Sequence, residues 1–185
     1  MSRLDETRPF LPVGIAVLTV SDTRSLEEDR SGATLAQRIE EAGHRLVERK
    51  IVTDDIEAIR SVIRAWMANE AIDVVITTGG TGFTGRDITP EAVEPLFEKR
   101  MDGFSEVFHR ISYDKIGTST IQSRATAGVA NATFIFALPG SPGACRDAWD
   151  NILKPQLDYR HMPCNFVEIM PRLDEHLRRG GGKSA

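Results

Sequence analysis

Only two cysteines, Cys145 and Cys164, occur in 185 residues. That is too few for a disulfide framework and too isolated for a zinc cluster, and it points to a reducing compartment. The four histidines, His44, His109, His161 and His176, lack metal-ligand spacing and read as satisfied or solvent-facing side chains. No stretch reaches 18 apolar residues, and the opening MSRLDETRPFLP carries acids and prolines where a signal peptide carries its apolar run. Secretion and membrane spanning are not expected, and the chain reads as cytoplasmic. Positive charge is scarce as well: 23 basic against 27 acidic residues leave −4. A nucleic-acid partner is therefore not expected, because a basic surface supplies most of that affinity. A small phosphorylated ligand stays open, since a few backbone N–H groups hold phosphate locally. Neither Ser21 nor Ser141 sits in a GxSxG elbow, which removes the footing for a hydrolase of that type.

What is present is an ordinary globular composition, 41% apolar with 15 glycines, enough for one core without staples. Residues 1–12 read as an N-terminal arm, 13–173 as a single domain, and 174–185 as a flexible, glycine-rich tail. VGIAVLTVS (13–21), IDVVITT (72–78) and ATFIFAL (132–138) are apolar, β-branched runs, as strands covered on both faces would be. HRLVERKIV (44–52) alternates like a strand nearer an edge. Between them lie amphipathic helices. The first has Leu35, Ile39 and Ala42 on one face, with Gly43 as its cap. The second spans 54–69 with Ile56, Ile59, Ile63, Trp66 and Met67 inward. Another starts with Thr89 as N-cap and Pro90 at N1. Phe104, Val107, Phe108 and Ile111 mark the next, and Cys145, Trp149, Ile152 and Leu153 the last, kinked or ended near Pro155. Residues 123–128 carry no clear secondary-structure signal. The pattern is a three-layer α/β sandwich, not a barrel.

In open α/β sheets ligands gather beyond the carboxyl ends of the strands, and four such loops stand out here. In the first, Ser21, Asp22, Thr23 and Arg24 either form a turn or contact a phosphate or ring edge. The second leaves the central strand with Thr78, Gly79, Gly80, Thr81 and Gly82, whose amides suit a phosphate nest. Residues 80–85 match GxGxxG, but this strand is the third and the helix begins only at Thr89, so a nucleotide-dependent oxidoreductase is weakly supported. Arg86 can fork onto phosphate oxygens. Asp87 can hold Mg²⁺, cap the next helix or pair with Arg86. In the third loop Asp54 or Asp55 caps a helix; if that strand adjoins the first, the other carboxylate approaches the crevice. In the fourth, Pro139, Gly140, Ser141, Pro142 and Gly143 precede a helix and form either an anion seat or a stiff turn. Ser123 and Arg124 add a further polar pair.

With these loops in hand, the chain resembles the MoaB/Mog family and the related molybdopterin-binding domains of gephyrin-type proteins. The likeness runs from about residue 12 to residue 170. It is carried by LTVSDTR (18–24), TTGGTG (77–82), GRDITPEA (85–92), TIQSRATAG (120–128), FALPGSPGACRDAWDNI (136–152) and PCNF (163–166). PCNF and ACRDAW look more like the MoaB branch than the Mog branch. The resemblance implies a mixed, mostly parallel sheet between helices, and a homo-oligomer, trimer or hexamer. It implies binding of molybdopterin, with ATP and Mg²⁺ for adenylylation of its terminal phosphate and release of pyrophosphate. It places the family's two catalytic aspartates on Asp54 and Asp87, which would also hold the metal. The TTGGTG loop and the SPGA turn would wrap the pterin and its phosphate, with Ser21 and Asp22 at the pocket edge and Ser123 and Arg124 nearby. Other molybdenum cofactor synthesis proteins are further candidate partners. Active relatives of the Mog branch commonly carry proline before the first aspartate, where this chain has Thr53. Some MoaB-branch members bind molybdopterin without clear adenylyltransferase activity, so a carrier or storage role is the alternative.

Overall fold

In the computed structural model, residues 3–175 are described. A short strand β1 (Arg3–Leu4) precedes β2 (Gly14–Val20), helix α1 (Arg30–Glu41), β3 (Arg45–Val52), α2 (Ile56–Met67) and β4 (Val74–Thr78). The chain continues through α3 (Thr89–Val93), β5 (Lys99–Arg100), α4 (Asp102–Ile116), β6 (Thr126–Ala130) and β7 (Thr133–Leu138). It closes with α5 (Pro142–Ala148), α6 (Lys154–Gln156), β8 (His161–Met162) and α7 (Phe166–Ile169). Six strands form one sheet in the order β3-β2-β4-β7-β6-β5, and β1 pairs separately with β8. β3, β2, β4 and β7 run parallel, whereas β6 and β5 are antiparallel additions. The sheet is thus mixed and mostly parallel, with β3 at an edge.

Alternation along the strands makes the layers. Ile15 and Val17 of β2, Val74 and Ile76 of β4, and Phe134 and Phe136 of β7 face α1, α4 and α5, meeting Leu35, Ile39, Phe104, Phe108, Cys145 and Trp149. Ala16, Leu18, Val75, Ile135 and Ala137 face the other way, onto Ile59, Ile63 and Trp66 of α2 and Ala92 and Val93 of α3. Both faces of the central strands are therefore dry, which is why they read as unbroken apolar runs. Cys145 is buried, and that burial pushes its thiol up to about 11, so it is an inert core group.

Several elements depart from their expected form, each for a local reason. Thr89 is not an N-cap: it is the first residue of α3, and its hydroxyl donates to the Gly79 carbonyl at 2.8 Å. The helix expected over 54–69 is shorter because Asp55 caps it, accepting from the Ala58 amide at 2.7 Å. Val107 points outward and is 47% exposed, although Phe104 and Phe108 of the same helix are buried. The last long helix ends near Pro155 as expected: it widens into a π-helical turn over Trp149–Leu153, and its final turn, α6, stops at Gln156, one residue past the proline that cannot donate. The unassigned segment 123–128 leads into β6, paired antiparallel with β7 through a two-residue turn at Asn131 and Ala132. Both turn residues have positive φ, 45° and 58°.

Candidate functional site

The register of the parallel strands lines up their carboxyl ends. Val20 pairs with Val52, Thr19 with Thr78, and Thr78 with Leu138. The four loops singled out above therefore open onto one edge of the sheet, at the point where strand order reverses about β2.

Two of these loops clasp each other. The Asp22 amide donates to Asp54 Oδ2 at 3.1 Å, and the Asp54 amide returns a bond to Asp22 Oδ1 at 3.0 Å. Because Asp55 takes the cap of α2, Asp54 is left facing the crevice. Arg86 reaches across from the glycine loop, its Nη1 3.2 Å from Asp22 Oδ2, while its side chain stays 75% exposed. Burial, and then the neighbouring charges of Asp22 and Asp87, raise the Asp54 carboxyl above its ordinary value. Ser21 serves the turn: its Oγ accepts from the Thr23 and Arg24 amides at 3.3 Å each.

The glycines of the second loop are required by close approach. Gly79 has φ of 105°, and a Cβ there would lie 2.3 Å from the Val20 carbonyl oxygen. Gly80, with φ of 63°, leaves room beside Asp54, whose Oδ1 would be 3.4 Å from an added Cβ. An added Cβ on Gly82 would stand 2.8 Å from Asp87 Oδ2. Asp87 neither caps α3 nor pairs with Arg86; its Oδ2 accepts from the Thr84 amide at 2.8 Å and hydroxyl at 2.6 Å. Burial works against the Asp87 carboxylate, but the Thr84 and Gly82 bonds and nearby Arg124 outweigh it and hold the group below its ordinary value.

Other predicted residues are placed less directly. The Thr78 hydroxyl is buried and donates to the Pro139 carbonyl at 2.9 Å, turned away from the crevice. Thr81 is buried, and its carbonyl accepts from the Arg124 amide at 2.8 Å. Gly140 packs against Gly79, the missing Cβ falling 3.1 Å from the Gly79 Cα. Ser141 caps α5 by accepting from the Ala144 amide at 3.2 Å, with Pro142 and Gly143 in the first turn. Ser123 accepts at its backbone carbonyl from His109 Nε2, 2.9 Å away. Arg124 Nε and Nη2 donate to the carbonyls of Gly82 and Asp87, and its Nη1 pairs with Glu91.

Sequence reasoning missed Glu91, Thr84 and Asp29. The first two stand inside the loop motif, three residues either side of Ile88 and Asp87 respectively. Asp29 is buried at the N-cap of α1, holding the Thr19 hydroxyl at 2.7 Å and Arg49 Nη2 at 2.8 Å. It anchors the far end of the loop that begins at Ser21. On one side of that loop an open cleft of about 650 Å³ is lined by Thr23, Arg24, Glu28, Arg30, Ser31 and Pro142. Among the described residues, no group of three or more His, Cys, Asp or Glu side chains converges to hold a metal.

The sequence pattern of the family described as "Probable molybdopterin binding domain" matches residues 16–159. The chain belongs to this family. Its MoaB/Mog character is equally plain in individual relatives. Molybdenum cofactor biosynthesis protein B of Escherichia coli (strain K12) is 54% identical over 157 residues, covering 85% of this chain and 92% of that protein. A crystal structure of a molybdenum cofactor biosynthesis protein B superposes with a TM-score of 0.82 at 38% identity, over 91% of this chain and 99% of the other. The tungsten cofactor synthesizing protein MoaB from Pyrococcus furiosus gives a TM-score of 0.64 at 32% identity, over 93% and 98%. Membership of the MoaB/Mog family ties the chain to molybdenum cofactor biosynthesis, and all four crevice loops through Gly143 lie inside the matched span. No helix among the described residues is long and apolar enough to cross a membrane.

Proposed function

We propose that this chain binds molybdopterin and adenylylates its terminal phosphate with Mg-ATP, releasing pyrophosphate. The observation that carries the reading is that Asp54 and Asp87, from loops after different strands, border the same glycine loop at Gly80 and Gly82. The Gly79 amide donates to the Leu138 carbonyl and the Gly82 amide to Asp87. A phosphate would therefore be seated on the amides of Gly80 and Thr81 with both carboxylates beside it, and Arg86 would exchange its bond to Asp22 for phosphate oxygens.

The reaction joins a phosphate oxygen of molybdopterin to the α-phosphorus of ATP while the bond from that phosphorus to the bridging oxygen breaks. The electron pair leaves with pyrophosphate. Such a transfer asks the protein for alignment and charge compensation rather than covalent help. The donor set fits magnesium that arrives with a nucleotide, because Mg²⁺ keeps waters and substrate phosphates and needs only one or two protein carboxylates. Burial first, and then the charges of Asp22 and Asp87, raise the Asp54 carboxyl, and a divalent cation would favour its ionised form. Asp54 and Asp87 would hold such an ion, and the chemistry it would supply is positive charge to offset that gathering on the departing pyrophosphate. Ser21 and Asp22 hold the near wall, and the Gly140–Gly143 turn the far one. Of the mapped residues, Thr78 and Ser141 support the loops from behind through Pro139 and Ala144.

The test is molybdopterin-dependent pyrophosphate release, comparing the wild type with D54A and D87A. Each variant should fold and lose at least about 100-fold in turnover. A folded wild type that binds molybdopterin yet releases no pyrophosphate would make the chain a carrier or storage protein instead.

A further inference from the structure

We propose that Arg124 is a positioning residue that staples the glycine loop shut and so fixes Asp87, rather than a contact to the ligand. The inference rests on the role assigned to Asp87 above. The geometry is that of a single guanidinium tying two ends of one loop. Nε donates to the Gly82 carbonyl at 2.8 Å and Nη2 to the Asp87 carbonyl at 2.7 Å, bracing from outside a six-residue stretch whose inner bonds run only between Asp87, Thr84 and Gly82. Nη1 pairs with Glu91 on α3, and the Arg124 amide donates to the Thr81 carbonyl at 2.8 Å. The guanidinium also lies over the Phe83 ring, 5.4 Å from its centroid. Its own base is held in turn, because the carbonyl of Ser123 meets His109 of α4.

Every nitrogen of this guanidinium is engaged with the chain, and the side chain is only 27% exposed. Three of its five N–H groups are spent on the chain, so an anion could meet only the one left on each of Nη1 and Nη2. Arg86, 75% exposed and with one exposed ion pair, faces no such obstacle. The staple also needs a planar fork with donors in fixed directions. A lysine supplies the same charge as one point and cannot serve Gly82, Asp87 and Glu91 together. Glu91 completes the device by orienting the fork and balancing its charge.

Hydrogen exchange on the full-length chain tests this directly, because the Thr84, Asp87 and Thr89 amides are all hydrogen-bonded inside the loop or to its base. In R124K these amides should exchange at least about tenfold faster, while those of β2 and β4 keep wild-type protection. In E91Q, which keeps the arginine, the same amides should exchange about threefold faster. Loop amides protected as in the wild type in R124K overturn the proposal. Should R124K lose protection throughout the sheet, E91Q decides in the same way. In the pyrophosphate assay R124K should lower kcat at least about tenfold with the KM for molybdopterin within about twofold. A raised KM at unchanged kcat would show instead that Arg124 touches the ligand. If the wild type has no turnover, the adenylyl-transfer reading fails, and the exchange data still decide the staple.

Discussion

Asp54 and Asp87 meet the same crevice in opposite electrostatic settings. Asp87 is satisfied by Thr84 and Gly82, whereas Asp54 is partly buried beside Asp22 and Asp87, which disfavours its ionised form. A carboxyl raised in the folded state binds protons more tightly than in the unfolded chain, so ionised Asp54 costs stability above the ordinary aspartate value and costs nothing once protonated. D54N should therefore leave the thermal midpoint at pH 7 unchanged or about 1–3 °C higher, a gain that vanishes near pH 4, while turnover collapses. A lower midpoint at pH 7 would contradict this, and calorimetry across pH reads it. Asp29 has the reverse sign. Burial alone would raise it, but bonds from Arg49, the Gly32 amide and Thr19 outweigh that and hold it low. Its contribution is present above an unfolded value of about 3.9 and is lost as pH falls through the lower folded value. Asp29→Ala strands Arg49 without its counter-charge and should cost about 3 kcal/mol in urea unfolding at pH 7, against a loss under about 1 kcal/mol if the pair is idle. At this scale the sequence left Asp54 and Asp55 interchangeable as helix cap; only the backbone direction at Asp55 separates them. Asp29 escaped notice because its partners Thr19 and Arg49 lie on different strands.

The elements that were legible are those whose pattern has one physical cause. β2, β4 and β7 are apolar on both faces because helices cover both, and α1 and α2 show the stripe that one covered face demands. What escaped depends on neighbours. The Thr89 hydroxyl prefers the Gly79 carbonyl to the amides of its own helix, and Val107 fits the helical period of α4 yet lies outside the contact with the sheet. β6 is an edge-side antiparallel strand of small residues, TAGVA, with too little apolar pattern to announce itself. Its turn to β7 is a two-residue loop with positive φ at both positions, a conformation that favours Asn-Gly, whereas the chain has Asn131-Ala132. Ala132→Gly should stabilise the protein by about 0.5–1 kcal/mol, the relief of a left-handed alanine exceeding the entropy of the glycine. Denaturant unfolding checks it, and a destabilised variant would contradict the assigned turn.

Across the whole molecule, periodicity indicated the layers but not the strand order, since nothing local tells β7 to pair with β4 and then turn antiparallel. That order is what brings four separate loops to one edge and sets Asp54 beside Gly80. It also explains why a chain of net charge −4 can be proposed to hold phosphate: the site uses amides and Arg86, not an overall basic surface. The exposure of Val107, Tyr113, Ile116 and Ile121 along α4 and the segment after it leaves apolar surface for the homo-oligomer expected from the sequence. Light scattering at micromolar concentration should show a trimer or hexamer, and a monomer would refute the assembly. The most direct test of the central claim is pyrophosphate release from the wild-type chain given molybdopterin and Mg-ATP. Release should require molybdopterin and be lost in D54A and D87A; a folded, molybdopterin-binding wild type that releases none would contradict the adenylyl-transfer reading.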